Sequence, residues 1–199
     1  MHSRACAALR CIFQNIKETN MLTQNLKDIK YVLFDFDDTL CIHSNHQAWT
    51  NNKEHKFDVC ILQGGDPYAK SAPNYHLAEF IRHLKEADIK MGLISHVSSV
   101  PQAIIKENWV RENYDVKLDN FCVGSREHKV EMLKHIADGL HIRRSQILII
   151  DDACVTLAEA DSEGFQTATP MEIVNLIYQY KGHYDNLIDH IIKEDVCYD

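Results

Sequence analysis

The sequence of 199 residues lacks a long apolar run and a block of basic residues. No apolar stretch approaches the roughly 20 residues that a membrane-spanning helix needs. Asp and Glu total 29 against 21 for Lys and Arg, and the formal net charge is −8. Non-specific binding to nucleic acid or to anionic membranes requires clustered Lys and Arg, so we expect neither partner. The overall charge is still compatible with a local basic groove.

Paired metal-ligand spacings are also missing. The seven cysteines are odd in number and scattered, without a CxxC pair, which indicates reduced thiols in a cytoplasmic protein and not a disulfide framework or a zinc site. The twelve histidines form no HExxH motif and no i, i+4 pair. We interpret His43 and His46 as solvated residues of a polar loop.

Length and composition indicate one soluble domain. The apolar fraction of 45% and the charged fraction of 25% are ordinary for a globular protein, and the chain is long enough to bury a core. We interpret residues 1–25 as an N-terminal extension, with Met21 as the expected true start and a transit peptide as the weaker alternative. Residues 26–199 form the predicted domain, with an insert at about 41–72.

Apolar runs alternate with helical patterns, which predicts an α/β fold with a parallel sheet. Strands are predicted at 31–36, 90–95, 120–123, 147–150 and 165–168. Helices are predicted after Pro73-Asn74, from about Ser99, at about 130–139, and at 153–163, 171–180 and 184–193. Within the insert we expect a short strand at 56–62 and a turn at 64–67.

Acidic residues follow two of the predicted strands. Asp35, Asp37 and Asp38 come directly after the first apolar run, and Asp151 and Asp152 follow the fourth. The carboxyl ends of parallel strands meet at one edge of a sheet, where open α/β folds bind their ligands. Carboxylates crowded in this way need a cation, and hard oxygen ligands favour Mg²⁺ bound together with phosphate oxygens.

Residues 35–40, Asp-Phe-Asp-Asp-Thr-Leu, resemble motif I (DxDx[TV]) of the haloacid dehalogenase (HAD) superfamily, whose members are mostly phosphatases. Three further motifs of that family follow in order. Ser95 ends the second predicted strand as in motif II, and Lys129 precedes a helix as in motif III. Asp151-Asp152 resembles motif IV. The resemblance covers about residues 30–168 and implies a three-layer α/β/α sandwich on a Rossmann-like sheet with strand order 5-4-1-2-3.

The resemblance also implies roles for these residues. Asp35 would attack phosphorus and form an aspartyl-phosphate, and Asp37 would serve as the general acid and base. Mg²⁺ would be held by Asp35, the Asp37 backbone carbonyl and Asp151, with Asp152 acting through water or orienting the ligands. The phosphate would be bound by the following four residues: Thr39, Ser95, His96 and Lys129. His96 stands where the family often has Asn.

The expected function is an Mg²⁺-dependent phosphomonoester hydrolase with a phosphorylated small molecule or macromolecule end as its partner. Asp37 argues against a dehalogenase or a P-type ATPase, which lack this aspartate. We expect little or no cap domain, because the segment before Lys129 is too short and the insert has room only for a small flap. Two alternatives stay open. One is a catalytically weak HAD-fold binding protein that uses residues 41–72, and the other is a phosphotransferase or phosphomutase.

Overall fold

The fold is built on five parallel strands. The structure, a computed structural model, describes residues 28–43 and 59–179. The strands are β1 (Tyr31–Phe34), β4 (Lys90–Leu93), β5 (Asp119–Asn120), β6 (Ile147–Ile150) and β7 (Gln166–Ala168). They are arranged in the order β5-β4-β1-β6-β7. In the chain order of these five strands this is the predicted order 5-4-1-2-3, and the prediction is confirmed.

Five helices connect and flank these strands. They are α1 (Tyr75–Glu86), α2 (Val100–Tyr114), α3 (His128–Leu140), α4 (Cys154–Ser162) and α5 (Pro170–Gln179). The hydroxyl of Ser99 caps α2 by accepting a hydrogen bond from the Gln102 backbone N–H, and Pro101 lies in the first turn, as predicted. After α4 the chain turns at Gly164 with a φ of +86°, a conformation that glycine adopts without strain.

Side chains of the central strands alternate between two apolar layers. Val32 and Phe34 of β1 belong to the cluster that includes residues of α1, α2 and α5. Tyr31 and Leu33 belong to the opposite cluster, which includes residues of α3 and α4. β6 repeats the alternation. Helices therefore cover both faces of the sheet, and the predicted three-layer α/β/α sandwich is confirmed.

The ends of several elements differ from the sequence-based prediction. β1 ends at Phe34, because the chain turns away at Asp38, whose φ is +56°. The regular part of the third strand is 119–120 instead of 120–123, although Val123 still forms a bridge with His96. α3 continues through Gly139 and ends at Leu140, where His141 adopts the left-handed conformation.

The insert contains a small ribbon and a helical turn. β2 (Cys41–Ile42) pairs antiparallel with β3 (Ala72–Pro73), so the two ends of the insert are joined beside the main sheet. The predicted strand at 56–62 is wrong in its described part, since residues 59–62 are helical and their carbonyls bond locally to the next turn. The predicted turn at 64–67 is only partly present: turns are found at 63–64 and 67–70, and residues 65–66 between them belong to neither.

Some predictions lie outside the described residues. They concern the N-terminal extension, His46 and the helix at 184–193. Within the described ranges, none of the helices combines the length and the apolar character required to cross a membrane.

Candidate active site

The sequence-predicted residues meet in a cavity at the carboxyl edge of the sheet. Three loops supply all of them but one: the turn after β1, the loop after β4, and the loop after β6. Lys129 comes from the first turn of α3. The residues that line the cavity and were predicted from sequence are Asp35, Asp37, Ser95, His96, Lys129, Asp151 and Asp152. Parallel pairing of β4, β1 and β6 brings these strand ends together, although the residues lie far apart in sequence.

Asp35 and Asp151 are buried carboxylates that share one lysine. Lys129 Nζ lies 2.8 Å from Asp35 Oδ1 and 2.8 Å from Asp151 Oδ2. The pKa of Asp35 is raised to about 6. Burial is the main cause, the ammonium of Lys129 opposes it, and the carboxylate of Asp151 adds to it. Burial alone would lower the pKa of Lys129, but the two carboxylates outweigh it and raise that pKa. The lysine therefore stays charged and offsets the acid cluster.

A divalent cation fits the same group of acids. Oxygen atoms of Asp35, Asp151 and Asp152 all lie within 4.8 Å of one another. Burial and the neighbouring Asp151 raise the pKa of Asp152, as expected for carboxylates crowded without a cation between them. Carboxylate oxygens are the ligands that Mg²⁺ prefers, and Mg²⁺ usually binds one or two of them and keeps several waters. These donors suit Mg²⁺, with the Asp37 backbone carbonyl as the further predicted ligand.

Both oxygens of the Asp37 carboxylate contact cationic or titratable side chains. Lys106 Nζ lies 2.7 Å from Oδ2, and His43 Nε2 lies 3.0 Å from Oδ1. Burial raises the pKa of Asp37, but the hydrogen bond to His43 and the charge of Lys106 outweigh burial and lower it. In the free protein Asp37 is therefore ionised, and its carboxylate is held from two sides.

The interpretation of His43 as a solvated loop residue is wrong. Its side chain is only 8% exposed, so it is not a solvated loop residue. One ring nitrogen contacts Asp37, and Nδ1 lies 3.1 Å from the Ser71 hydroxyl. His43 follows β2 and Ser71 precedes β3, so the base of the insert contacts the Asp37 carboxylate directly.

Of the four predicted phosphate ligands, three line the cavity. They are Ser95, His96 and Lys129. Thr39 does not: its side chain is fully buried, and its hydroxyl has no hydrogen-bond partner among the described residues. The turn after Asp38 directs Thr39 away from the cavity into the protein interior, so we leave Thr39 out of the proposed phosphate site.

Sequence reasoning missed Lys106, which lies on α2. A signal for it was present, because Gln102, Lys106, Trp109 and Val110 follow helical spacing and all face the interior. A lysine in such a stripe is buried. Arg126 also lines the cavity and was missed. It is exposed, and no ion pair involving it is found in the described part of the chain.

The chain is similar to known proteins at the level of structure. Neither a protein-family model nor a curated protein matches the chain. The chain is similar to a hypothetical protein from Xanthomonas campestris, with 13% identity and a TM-score of 0.51 over 84% of this chain and 91% of that one. It is also similar to 3-deoxy-D-manno-octulosonate 8-phosphate phosphatase from Moraxella catarrhalis, solved with magnesium, phosphate and the sugar acid. That identity is 17% and the TM-score 0.50, over 85% and 97% of the two chains.

A further likeness is to a putative HAD-superfamily hydrolase of subfamily III A from Legionella pneumophila, at 14% identity and a TM-score of 0.48 over 91% of this chain and 99% of that one. At such identities a structural likeness shows the fold alone. The chain has the fold that the motifs implied: a five-stranded parallel sheet between helices, with the strand order 5-4-1-2-3.

Proposed function

We propose that the protein is an Mg²⁺-dependent phosphomonoester hydrolase that works through an aspartyl-phosphate on Asp35. The observation that carries this proposal is the placement of Asp35 at the end of the central strand, beside both Lys129 and the Asp151–Asp152 pair. A buried carboxylate next to a lysine and a cation site is equipped to receive a phosphoryl group. The neighbouring phosphatase from Moraxella, which binds magnesium and phosphate, supports the same class of reaction.

The reaction would proceed in two displacements. An Asp35 carboxylate oxygen attacks phosphorus, the ester P–O bond breaks, and the leaving oxygen takes a proton from Asp37. Water then attacks the phosphorus of the aspartyl-phosphate, Asp37 accepts the water proton, and Asp35 leaves as a carboxylate with release of phosphate. Bound Mg²⁺ would supply charge neutralisation for the phosphoryl oxygens.

The charges around Asp37 fit its role in the second displacement. Lys106 and His43 keep the carboxylate ionised, which is the form that accepts a proton from water. For the first displacement Asp37 must carry a proton. A dianionic phosphate ester bound beside Asp37 would raise its pKa, because nearby negative charge disfavours ionisation.

The test is hydrolysis of p-nitrophenyl phosphate with Mg²⁺ by the wild type and by Asp35→Asn. The amide is close in size to the carboxylate but is a poor nucleophile, so we expect turnover to fall to background, by at least about 10³-fold. The matched control is Asp138→Asn on the exposed side of α3, which should keep wild-type activity and stability. Full activity in Asp35→Asn would overturn the proposed mechanism.

A further inference from the structure

The Lys106 ammonium lies at the junction of two motif loops. Lys106 has no exposed surface, although it is a lysine. Its ammonium donates hydrogen bonds to Asp37 Oδ2 at 2.7 Å, to Ser95 Oγ at 2.8 Å and to the His96 carbonyl at 2.8 Å. Asp37 belongs to the turn after β1, and Ser95 and His96 belong to the loop after β4. One side chain therefore connects the predicted acid–base residue with a predicted phosphate ligand.

Lys106 is not itself placed to bind substrate. An ammonium has three hydrogens, and all three are used by these partners. The side chain has no surface facing the cavity. Any effect of Lys106 on a reaction must therefore pass through the groups it holds.

Packing alone does not account for a lysine at this position. Its ammonium lies 5.1 Å from the centre of the Phe36 ring and 6.0 Å from that of Tyr68. In such surroundings an apolar side chain of similar volume avoids the cost of burying a charge and is often neutral or stabilising. The lysine is needed only if Asp37 and Ser95 must be held where they are.

The surroundings of Lys106 are themselves ordered. One turn earlier on α2, Gln102 donates a hydrogen bond to the Tyr68 hydroxyl at 3.0 Å. The side-chain oxygen Oε1 of Gln102 accepts hydrogen bonds from the Ser98 backbone N–H at 2.8 Å and from the Ser98 hydroxyl at 3.0 Å. These contacts fix the helix against both the insert and the loop after β4, so the ammonium has a defined position.

We infer that Lys106 is a positioning residue that orients Asp37 and Ser95 for the proposed phosphoryl transfer. Its bond to Asp37 Oδ2 sets the direction of the acid–base carboxylate. Its bond to Ser95 Oγ occupies a lone pair of that oxygen, so the Ser95 hydrogen must point to another acceptor. In the structure this is the His96 carbonyl, at a long distance of 3.5 Å, and a phosphoryl oxygen in the cavity would replace that weak bond. This inference rests on the proposed function, but it assigns a role to a residue outside the four motifs.

The test is a mutant cycle with Lys106→Met, measured as kcat and KM for p-nitrophenyl phosphate. Misplacement of reacting groups by about 1 Å can cost about 10²-fold, and we expect a loss of that size in kcat/KM for Lys106→Met. If Lys106 acts through its partners, the same substitution in an Asp37→Asn, Ser95→Ala background should cost less than about threefold, because the groups it positions are gone. Lys134→Met is the matched control, since Lys134 pairs with Glu163 away from the cavity.

An equal loss in both backgrounds would show a general structural role and overturn the inference, as would wild-type kcat/KM in Lys106→Met. If Lys106→Met does not fold, Lys106→Gln keeps one donor group and serves in the same cycle with the same criteria. The proposed function is tested separately, by comparing the turnover of Asp35→Asn with that of the wild type. If activity requires Asp35 but Lys106→Met costs the same in both backgrounds, the inference about Lys106 is rejected and the proposed function stands.

Discussion

At the residue scale, two buried lysines determine how the acids of the site are held. Lys129 contacts Asp35 and Asp151, and Lys106 contacts Asp37. Asp35 and Asp37 thus contact different ammonium groups, and Asp35 shares its lysine with Asp151. The contacts differ in consequence: Asp35 keeps a raised pKa, whereas the pKa of Asp37 is lowered. Two carboxylates two residues apart are thereby given different affinities for a proton.

Lys129→Met should destabilise the protein in a metal-dependent way. The substitution leaves Asp35 and Asp151 buried without their ammonium, and removing one partner of a buried ion pair typically costs about 3–5 kcal/mol in the free energy of unfolding. Mg²⁺ should reduce this loss, because a bound cation neutralises the same carboxylates. Denaturant unfolding in EDTA and in Mg²⁺ measures the difference. An identical loss in both conditions would contradict a cation site at these acids.

The motif residues could be predicted from sequence because each follows an apolar run and matches a spacing. Asp35, Ser95 and Asp151 are examples, and the structure places all three at the cavity. Lys106 could not be assigned in this way, since its contacts depend on how α2 packs over the ends of two strands. His43 was misjudged for a related reason: only the pairing of β2 with β3 shows that it faces Asp37.

At the element scale, the central sheet depends on close contact between β4 and its neighbours. A Cβ added at Gly92 would lie 2.8 Å from Leu33 Cδ2, 3.0 Å from the Tyr31 hydroxyl and 3.1 Å from Phe121 Cε2. Leu33 and Tyr31 are buried, so neither can move away easily. The absence of a side chain at Gly92 is therefore a packing requirement at this point of the sheet.

Gly92→Ala should lower the free energy of unfolding by about 1–3 kcal/mol, the usual cost of overpacking a core. Gly139→Ala is the matched control. Gly139 lies within α3, and apart from the adjoining backbone of the helix itself no described atom lies within 4 Å of the added methyl group, so alanine should stabilise the helix by about 0.4–1 kcal/mol. Denaturant titration of both variants gives the comparison. Equal stability of Gly92→Ala and the wild type would contradict the tight packing of β4.

Long, strongly patterned elements were predictable and short ones were not. β6 and the five helices match the predicted elements to within a few residues, because an apolar run or a helical stripe defines each. β5 is only two residues long and polar, so its position depends on pairing with β4. Residues 59–62 form an apolar run that suits either a strand or a helix. They are helical in the structure, where backbone N–H groups of the following residues bond to their carbonyls.

At the scale of the whole molecule, the sheet brings together groups that the sequence separates. Residues 35–38, 95–96 and 151–152 meet only because β4, β1 and β6 are neighbours. The connection from β5 to α3 spans only residues 121–127 and contributes Arg126 to the cavity lining, so it has no room for a cap domain. Because this connection holds no cap domain, we propose that the cavity admits phosphate groups on large molecules as well as on small ones.

The central claim is most directly tested by looking for phosphate on Asp35. The protein would be mixed with p-nitrophenyl phosphate and Mg²⁺, quenched in acid, digested and examined by mass spectrometry. Asp37→Asn would be used to slow hydrolysis of the aspartyl-phosphate, since p-nitrophenolate is a good enough leaving group to depart without a proton from Asp37. The account predicts a phosphorylated peptide with the modification at Asp35, which is absent when EDTA replaces Mg²⁺. Release of phosphate without any modified peptide, or modification at another residue, would contradict it.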